Sequence, residues 1–270
     1  MLITELNVSD DEPTPAADLD IGLVYTHERR FMPRLLESLA PAAGGLNVRL
    51  LFVDNASDGE YARWQARLPR TTVLHNQRRL SYAENLNRVL RLATAPYVLL
   101  MNTDMHFDAA EPCLQKMVEF MERRPRCGLS VCRLYHPGGG YAWPARRFQT
   151  PRIIVARRLK LARRMHHELA DYFYQDRNHF ESFECDWVSG CFMFLRRAAV
   201  MDVGPFDERF TKYFEDVDYA ARMHRASWQV MFNGATYCYH HEQRASRRLL
   251  SGDACRHLGA YARWLLKRAA

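Results

Sequence analysis

The chain has 270 residues, 48% of them hydrophobic and 26% charged, with a net charge of +7. That length holds one large α/β domain or two small ones, and the composition is that of an ordinary folded soluble protein. No apolar run approaches the roughly 20 residues that span a bilayer. The seven scattered cysteines lack C-x-x-C spacing, which argues against zinc or a disulfide framework and predicts a reduced, cytoplasmic chain.

In chain order, residues 1–20 are acidic and have no apolar period, so they predict a flexible tail; lacking a basic start, they do not read as a secretory signal. Ile21–Thr26 predicts a buried strand, followed by an amphipathic helix that ends at Ala40. Val48–Asn55 is a second apolar strand that stops at the turn NASDG. Tyr61–Leu68 suggests a helix and TTVLHN a third strand. SYAENLNRVLRLAT has helical spacing, with Tyr82, Leu86, Val89, Leu90 and Ala93 on or near one face. YVLLMNTD is a fourth strand, Cys113–Arg123 a helix, and CGLSVCRLY another strand. Continuously hydrophobic strands alternating with helices predict an α/β fold whose sheet is largely parallel and covered on both faces.

After Tyr135 the pattern changes. HPGGGYAWP is a loop, Val188–Arg197 a short strand, and MFNGATYCYHH contains another. Between them, Arg146, Arg147, Arg152, Arg157, Arg158, Lys160, Arg163 and Arg164 follow one another with no acid among them. This stretch reads either as a solvated helix face or as a surface for anionic lipid or a diphosphate-bearing substrate. No nucleic-acid-binding motif accompanies it, so no nucleic-acid partner is expected.

Ligands of an open parallel sheet bind beyond the carboxyl ends of its strands. Three predicted strands end there in polar groups: Thr26, His27 and Glu28; Asp54 and Asn55; Asn102, Thr103 and Asp104. Singly each reads equally well as a turn or cap; together they would line one crevice. No P-loop and no dinucleotide fingerprint is present. Asp104 follows the apolar YVLLM, so its carboxylate needs a partner. A divalent cation bridging a diphosphate is one such partner, and a cap for the next helix is the other reading.

The stretch YFEDVDYAAR packs three acids into four residues. Helical spacing puts Glu215 and Asp218 on one face, with Asp218 and Arg222 in the favourable i, i+4 order. Asp216 points about 100° away, free to face a cleft and to take a proton.

These pieces resemble family 2 glycosyltransferases, in the rhamnosyltransferase-like branch, from roughly Ile21 to Lys267. The resemblance rests on VYTHER, LLFVDNASDG, YVLLMNTD and RRFQTPRIIVARRL. It is strongest in DWVSGCFMFLRRAAVMDVGPFDERFTKYFEDVDYAARMHRASWQV, followed by YHHEQRAS. It implies a GT-A fold, with a Rossmann-like nucleotide-binding half on a mixed, mostly parallel sheet joined to an acceptor-binding half. On this reading 21–235 is the glycosyltransferase domain (21–135 and 136–235) and 236–270 a basic helical extension.

The resemblance further implies inverting transfer from a nucleoside-diphosphate sugar to a saccharide or lipid-linked saccharide, at an anionic membrane face. Thr26, Glu28, Asp54, Asn55, Asn102 and Thr103 would surround the donor. Asp104, with His240 or His241, would hold Mg2+ or Mn2+. Asp216 would be the base, and Trp187, Gly190, Glu215 and Asp218 would shape the acceptor pocket. RLSY departs from the family's N-L-G-[FY] by Arg79 and Ser81, while Asn87 keeps its place; these three are carried as donor contacts. A nucleotidyltransferase-like enzyme on a similar core and a non-catalytic relative are the competing readings.

Overall fold

The four longest apolar runs near the N-terminus have no polar face, so each must be covered on both sides. They form β2 (Leu19–Tyr25), β3 (Val48–Asp54), β4 (Thr71–His75) and β5 (Tyr97–Met101), a parallel set in the order β4-β3-β2-β5. The computed structural model describes residues 2–6, 16–158, 163–241 and 252–269. Two helices bridge successive strands: α1 (Met32–Ala43) and α2 (Tyr82–Leu92). α2 lies so close to β2 that a Cβ on Gly22 would stand 2.5 Å from Val89, which is why glycine occupies that strand position. Tyr25 pairs with Asp54, and Asp54 with His75, so the carboxyl ends of the strands are level.

The chain then passes through β6 (Met105–His106), α3 (Cys113–Glu122), β7 (Cys127–Tyr135), β8 (Ala145–Arg146), α4 (Pro151–Arg158) and α5 (His166–Tyr172). It continues through β9 (Phe183–Glu184), β10 (Trp187–Val188), β11 (Phe192–Arg196), α6 (Arg197–Val203), α7 (Glu215–Arg225), β12 (Gln229–His240) and α8 (Gly252–Ala269). The strand expected over Val188–Arg197 divides into β10 and β11, with Gly190 between them, and its last residue opens α6.

β11 runs antiparallel to both β5 and β7, and β12 runs parallel to β7 and antiparallel to β6. The sheet is therefore mixed, with β11 joining the parallel set to the second half of the chain.

Three expectations are corrected. Residues 1–20 are not a tail throughout: β1 (Leu2–Leu6) pairs antiparallel with β4, from Leu2 opposite His75 to Leu6 opposite Thr71. A backbone ladder needs no apolar period, and β1 covers what would otherwise be an open edge of β4. The division at 235/236 falls inside β12, which is continuous through a bulge between Asn233 and Tyr237. The 135/136 division likewise does not separate two sheets, because β11 sits between β5 and β7. Lys160, residues 7–15 and the stretch from Glu242 to Ser246 lie outside the described residues.

Candidate active site

The level carboxyl ends of β2, β3 and β5 open into a cavity of about 340 Å3, lined by Val24, Thr26, Glu28, Asn55, Leu80, Tyr82, Asn85, Asn102, Thr103, Asp104 and His240. Seven of the residues expected at the site meet here: Thr26, Glu28, Asn55, Asn102, Thr103, Asp104 and His240. The cavity sits where the chain order turns from β2 toward β3 on one side and β5 on the other, the switch point of an open parallel sheet.

The loops around the cavity hold themselves. Glu28 accepts from the backbone N–H groups of Thr26 and His27 at 2.7 and 3.1 Å. Asn55 Oδ1 accepts from Leu80 N at 2.9 Å and from Asn76 Nδ2 at 3.0 Å. Asn76 also donates to Asn85 Oδ1 at 2.7 Å and accepts from Arg88 Nη1 at 2.7 Å.

Asp104 and His240 come together because β12 ends opposite β6. His240 pairs with Met105, and His241 N donates to the Asp104 carbonyl at 2.9 Å. Asp104 Oδ1 and His240 Nε2 are 3.3 Å apart, both buried, and neither has a partner in hydrogen-bond geometry. Burial works against a charged imidazole here, but Cys191 and Asp104 outweigh it and push His240 up to about 11. A divalent cation would take the place of the proton on His240, with the Asp104 carboxylate and the freed imidazole nitrogen as its ligands. Among the described residues no group of three or more His, Cys, Asp or Glu is arranged to hold a metal. The remaining ligands of a cation at this place would therefore be diphosphate oxygens and water, as suits Mg2+ or Mn2+.

Asp216 approaches from the other side, at the start of α7. The turn before it carries two successive residues in the left-handed region, Tyr213 (φ 72°) and Phe214 (φ 70°). Such strain in non-glycine residues persists where the surroundings enforce it, often at functional sites. Asp216 Oδ2 accepts from Gly190 N at 2.8 Å, and Oδ1 accepts from Val217 N at 2.9 Å. A Cβ on Gly190 would stand 3.2 Å from that Oδ2, so the close approach uses the missing side chain. Burial raises the Asp216 carboxyl, while the Gly190 N–H, Arg146 and the Val217 N–H hold it down. Burial and the neighbouring Asp216 push Glu215 up to about 8.

Tyr82 joins the two sides. Its hydroxyl stands 3.1 Å from Asn102 Oδ1 and 3.0 Å from the Gly190 carbonyl, either of which can accept its proton. Burial, with Glu215 next, raises the phenol well above its ordinary range, so it stays protonated. In the sequence Tyr82 shows only as part of the apolar face of α2, and Asn85 and Cys191 carry no site signal.

Six expected contacts have other duties, and a seventh lies outside the cavity wall. Asp54 holds the turn after β3 by accepting from Ser57 N and Oγ, with His75 Nδ1 at 3.4 Å. Ser81 caps α2 in a reciprocal capping box with Glu84. Asn87 is buried; it donates to Phe206 O and Glu208 Oε1 at 2.9 Å and accepts from Phe206 N at 2.7 Å. The His241 ring, one residue beyond the end of β12, packs against Phe31 and His106. Trp187 is buried, its indole N–H donating to Arg147 O at 2.7 Å. Asp218 is closed in by Arg222 Nε at 3.0 Å and Lys267 Nζ at 2.7 Å. Arg79 is exposed beside Leu80 and is not part of the cavity wall.

An N-acetylglucosaminyl-diphospho-decaprenol L-rhamnosyltransferase of Mycobacterium tuberculosis (strain CDC 1551 / Oshkosh) is 27% identical over 251 residues, covering 85% of this chain and 76% of the relative. The mannosyltransferase PcManGT from Pyrobaculum calidifontis, solved with GDP-Man and Mn2+, superposes on 94% of this chain with a TM-score of 0.60 and 15% identity. GalNAc-T7, solved with UDP, GalNAc and Mn2+, covers 93% with a TM-score of 0.63 and 13% identity. S. aureus TarS 1-349 covers 83% with a TM-score of 0.54 and 12% identity. This chain spans 66%, 48% and 60% of those three chains, and the likeness is one of fold, the GT-A glycosyltransferase fold. The family model described as Glycosyl transferase family 2 matches residues 21–204, and this chain belongs to that family.

Proposed function

We propose that the chain is an inverting hexosyltransferase that moves a sugar from a nucleoside diphosphate to a hydroxyl of a lipid-linked saccharide. One observation carries this reading. Asp216 and the Asp104–His240 pair stand on either side of Tyr82, whose hydroxyl reaches Asn102 on one side and Gly190 on the other. In-line displacement needs that separation: the departing diphosphate at one end and a base for the incoming hydroxyl at the other.

The residues divide accordingly. Thr26, Glu28 and Asn55 border the nucleoside, with Asn102 and Thr103 beside the diphosphate and Arg79 at the rim. Asp104 and His240 would hold Mg2+ or Mn2+. A bound cation of that kind supplies charge stabilisation to the leaving nucleoside diphosphate. Asp216 takes the proton of the attacking hydroxyl. The acceptor enters over Gly190 and Glu215, above the layer that Trp187 supports.

The M. tuberculosis relative, by its name, acts on an N-acetylglucosaminyl-diphospho lipid. An acceptor of this class suits a chain with a basic exposed stretch, here the exposed Arg152, Arg163 and Arg164, with Val155 also exposed. That stretch would rest on the anionic cytoplasmic side of a membrane. No helix among the described residues is long and apolar enough to cross one.

The test is transfer from nucleoside-diphosphate hexoses, L-rhamnose first, to a lipid-diphosphate N-acetylglucosamine in the presence of Mn2+. Product with the anomeric configuration inverted is expected. Retention of configuration, or no transfer from any such donor, overturns the reading. Flotation with anionic vesicles at low salt tests the membrane face separately, and absence of binding removes that part alone.

A further inference from the structure

Gly190 lies between β10 and β11 and donates its N–H to Asp216 Oδ2 at 2.8 Å. A side chain there would crowd the contact, since a Cβ would stand 3.2 Å from the same oxygen. Glycine is also the residue least able to hold its own backbone torsions. An N–H that must point at one carboxylate oxygen therefore needs ties on both sides of the glycine.

Those ties are present. Before Gly190, Ser189 N donates to Pro144 O at 2.9 Å; after it, Asn102 N donates to Cys191 O at 3.0 Å. On Gly190 itself the tie is the Tyr82 hydroxyl, 3.0 Å from the carbonyl oxygen. Tyr82 is firmly set for that contact. It is the first residue of α2, whose start is fixed by the Ser81–Glu84 capping box and by Leu80 N donating to Asn55 Oδ1 at 2.9 Å. Tyr82 lines the cavity together with Asn102 and Asp104, so one side chain touches both the cavity and the residue that holds Asp216.

The phenol has one proton for two nearby oxygens, Gly190 O and Asn102 Oδ1. A backbone carbonyl can only accept. The Asn102 amide, after a half-turn, offers an N–H to the phenol oxygen instead, and all three groups are then satisfied. The network is complete when the phenol proton goes to Gly190.

We propose that Tyr82 is a positioning residue for the transfer: its hydroxyl donates to the Gly190 carbonyl and so fixes the N–H that holds Asp216 toward the acceptor. The inference rests on Asp216 being the base. It gives one oxygen atom of the cavity wall a task that the ring alone does not perform. A phenylalanine at this position fills the same space and leaves the base loosely held.

The experiment compares the full-length protein with Tyr82→Phe, Asp216→Asn and the double variant. Transfer is measured from nucleoside-diphosphate L-rhamnose to lipid-diphosphate N-acetylglucosamine. Tyr82→Phe is expected to lower kcat by about tenfold, the worth of one hydrogen bond, with the donor KM unchanged. In the Asp216→Asn background the same change should have little further effect, because the two residues act as one unit. Amide hydrogen exchange of protein carrying isotope-labelled glycine, with no substrate present, gives a readout apart from turnover. Tyr82→Phe should speed exchange at Gly190 by about tenfold, while Gly22 in β2 and Gly128 in β7 keep their rates. An unmoved Gly190 rate overturns the proposal, and so does an equal proportional loss of kcat in both backgrounds, which would leave Tyr82 a merely structural residue. Where the Asp216→Asn rate is too low to compare, the Gly190 exchange decides. Asp216→Asn also separates the two ideas. If that variant keeps full activity, the base assignment falls. If it is inactive while Gly190 exchange ignores Tyr82→Phe, the Tyr82 inference falls alone.

Discussion

The two sides of the cavity differ in how completely their polar groups are satisfied. On the β3–β4–α2 side, Asn55, Asn76, Asn85 and Arg88 form a closed network with the Leu80 backbone. On the side built by β5 and β12, and at the start of α7 beyond it, three buried atoms among the described residues make no hydrogen bond: Asp104 Oδ1, His240 Nε2 and Glu215 Oε2. An unsatisfied buried polar atom costs about 1–3 kcal/mol. The contrast separates a wall that is finished before ligand arrives from one that is completed by it. The first should respond to mutation in stability, the second in activity.

The largest expected effect is on the unfinished side. On the proposed mechanism Asp216→Asn removes the proton acceptor and should lower transfer by about 10²–10⁴-fold, with a small fall in melting temperature, since an amide can accept from only one of the two backbone N–H groups that Asp216 serves. Asp104→Asn should lower transfer by about 10²–10³-fold. It should also abolish the thermal shift that nucleoside diphosphate plus Mn2+ gives the native protein. If that shift persists, the cation sits elsewhere.

On the finished side, Asn87→Ala breaks three buried hydrogen bonds between α2 and the Phe206–Glu208 segment. It should cost about 2–3 kcal/mol in chemical denaturation, while the donor KM stays near its original value. A raised KM without lost stability would return Asn87 to the donor site.

The smallest effect is expected at Lys267, whose Nζ bonds Asp207 and Asp218 at 2.8 and 2.7 Å. Arg209 and then Lys267 hold the Asp207 carboxyl well below its usual range. A depressed carboxylate stabilises the fold above its unfolded pKa and loses that contribution as pH falls through the folded value. Lys267→Met should therefore cost about 1 kcal/mol at neutral pH. The difference from the original protein should shrink as pH drops below about 4. A gap that is the same at both pH values would mean that packing, not charge, is lost.

Much of this architecture was legible because it is local. Continuous apolar strands revealed the parallel set, and polar residues at their ends located Thr26, Asn55 and Asp104. The i, i+4 spacing disclosed the Asp218–Arg222 pair, since both ends lie on one helix. Lys267, the second partner of Asp218, is 49 residues away and became visible only when α8 docked. Tyr82 and Gly190 are 108 residues apart, and they meet because β11 lies antiparallel beside β5. The two adjacent histidines are told apart only by their contacts, His240 beside Asp104 and His241 against Phe31 and His106. Asn87 keeps the family pattern and Ser81 departs from it, but the pattern does not say whether a polar residue faces a ligand or a helix end.

β11 makes parts of the chain unequal in their tolerance of insertions and deletions. It contributes only Phe192–Arg196, yet Phe192 lies opposite Met101 and Arg196 opposite Tyr97, with β7 on its other edge. A one-residue slip would turn every side chain of the strand to the opposite face and carry Gly190 out of reach of Asp216. Among relatives, length variation is therefore expected in exposed stretches such as Gly138–Gly140, and not between Gly190 and Arg196. Those seven positions act as the fixed scale on which the distance between donor and acceptor is set.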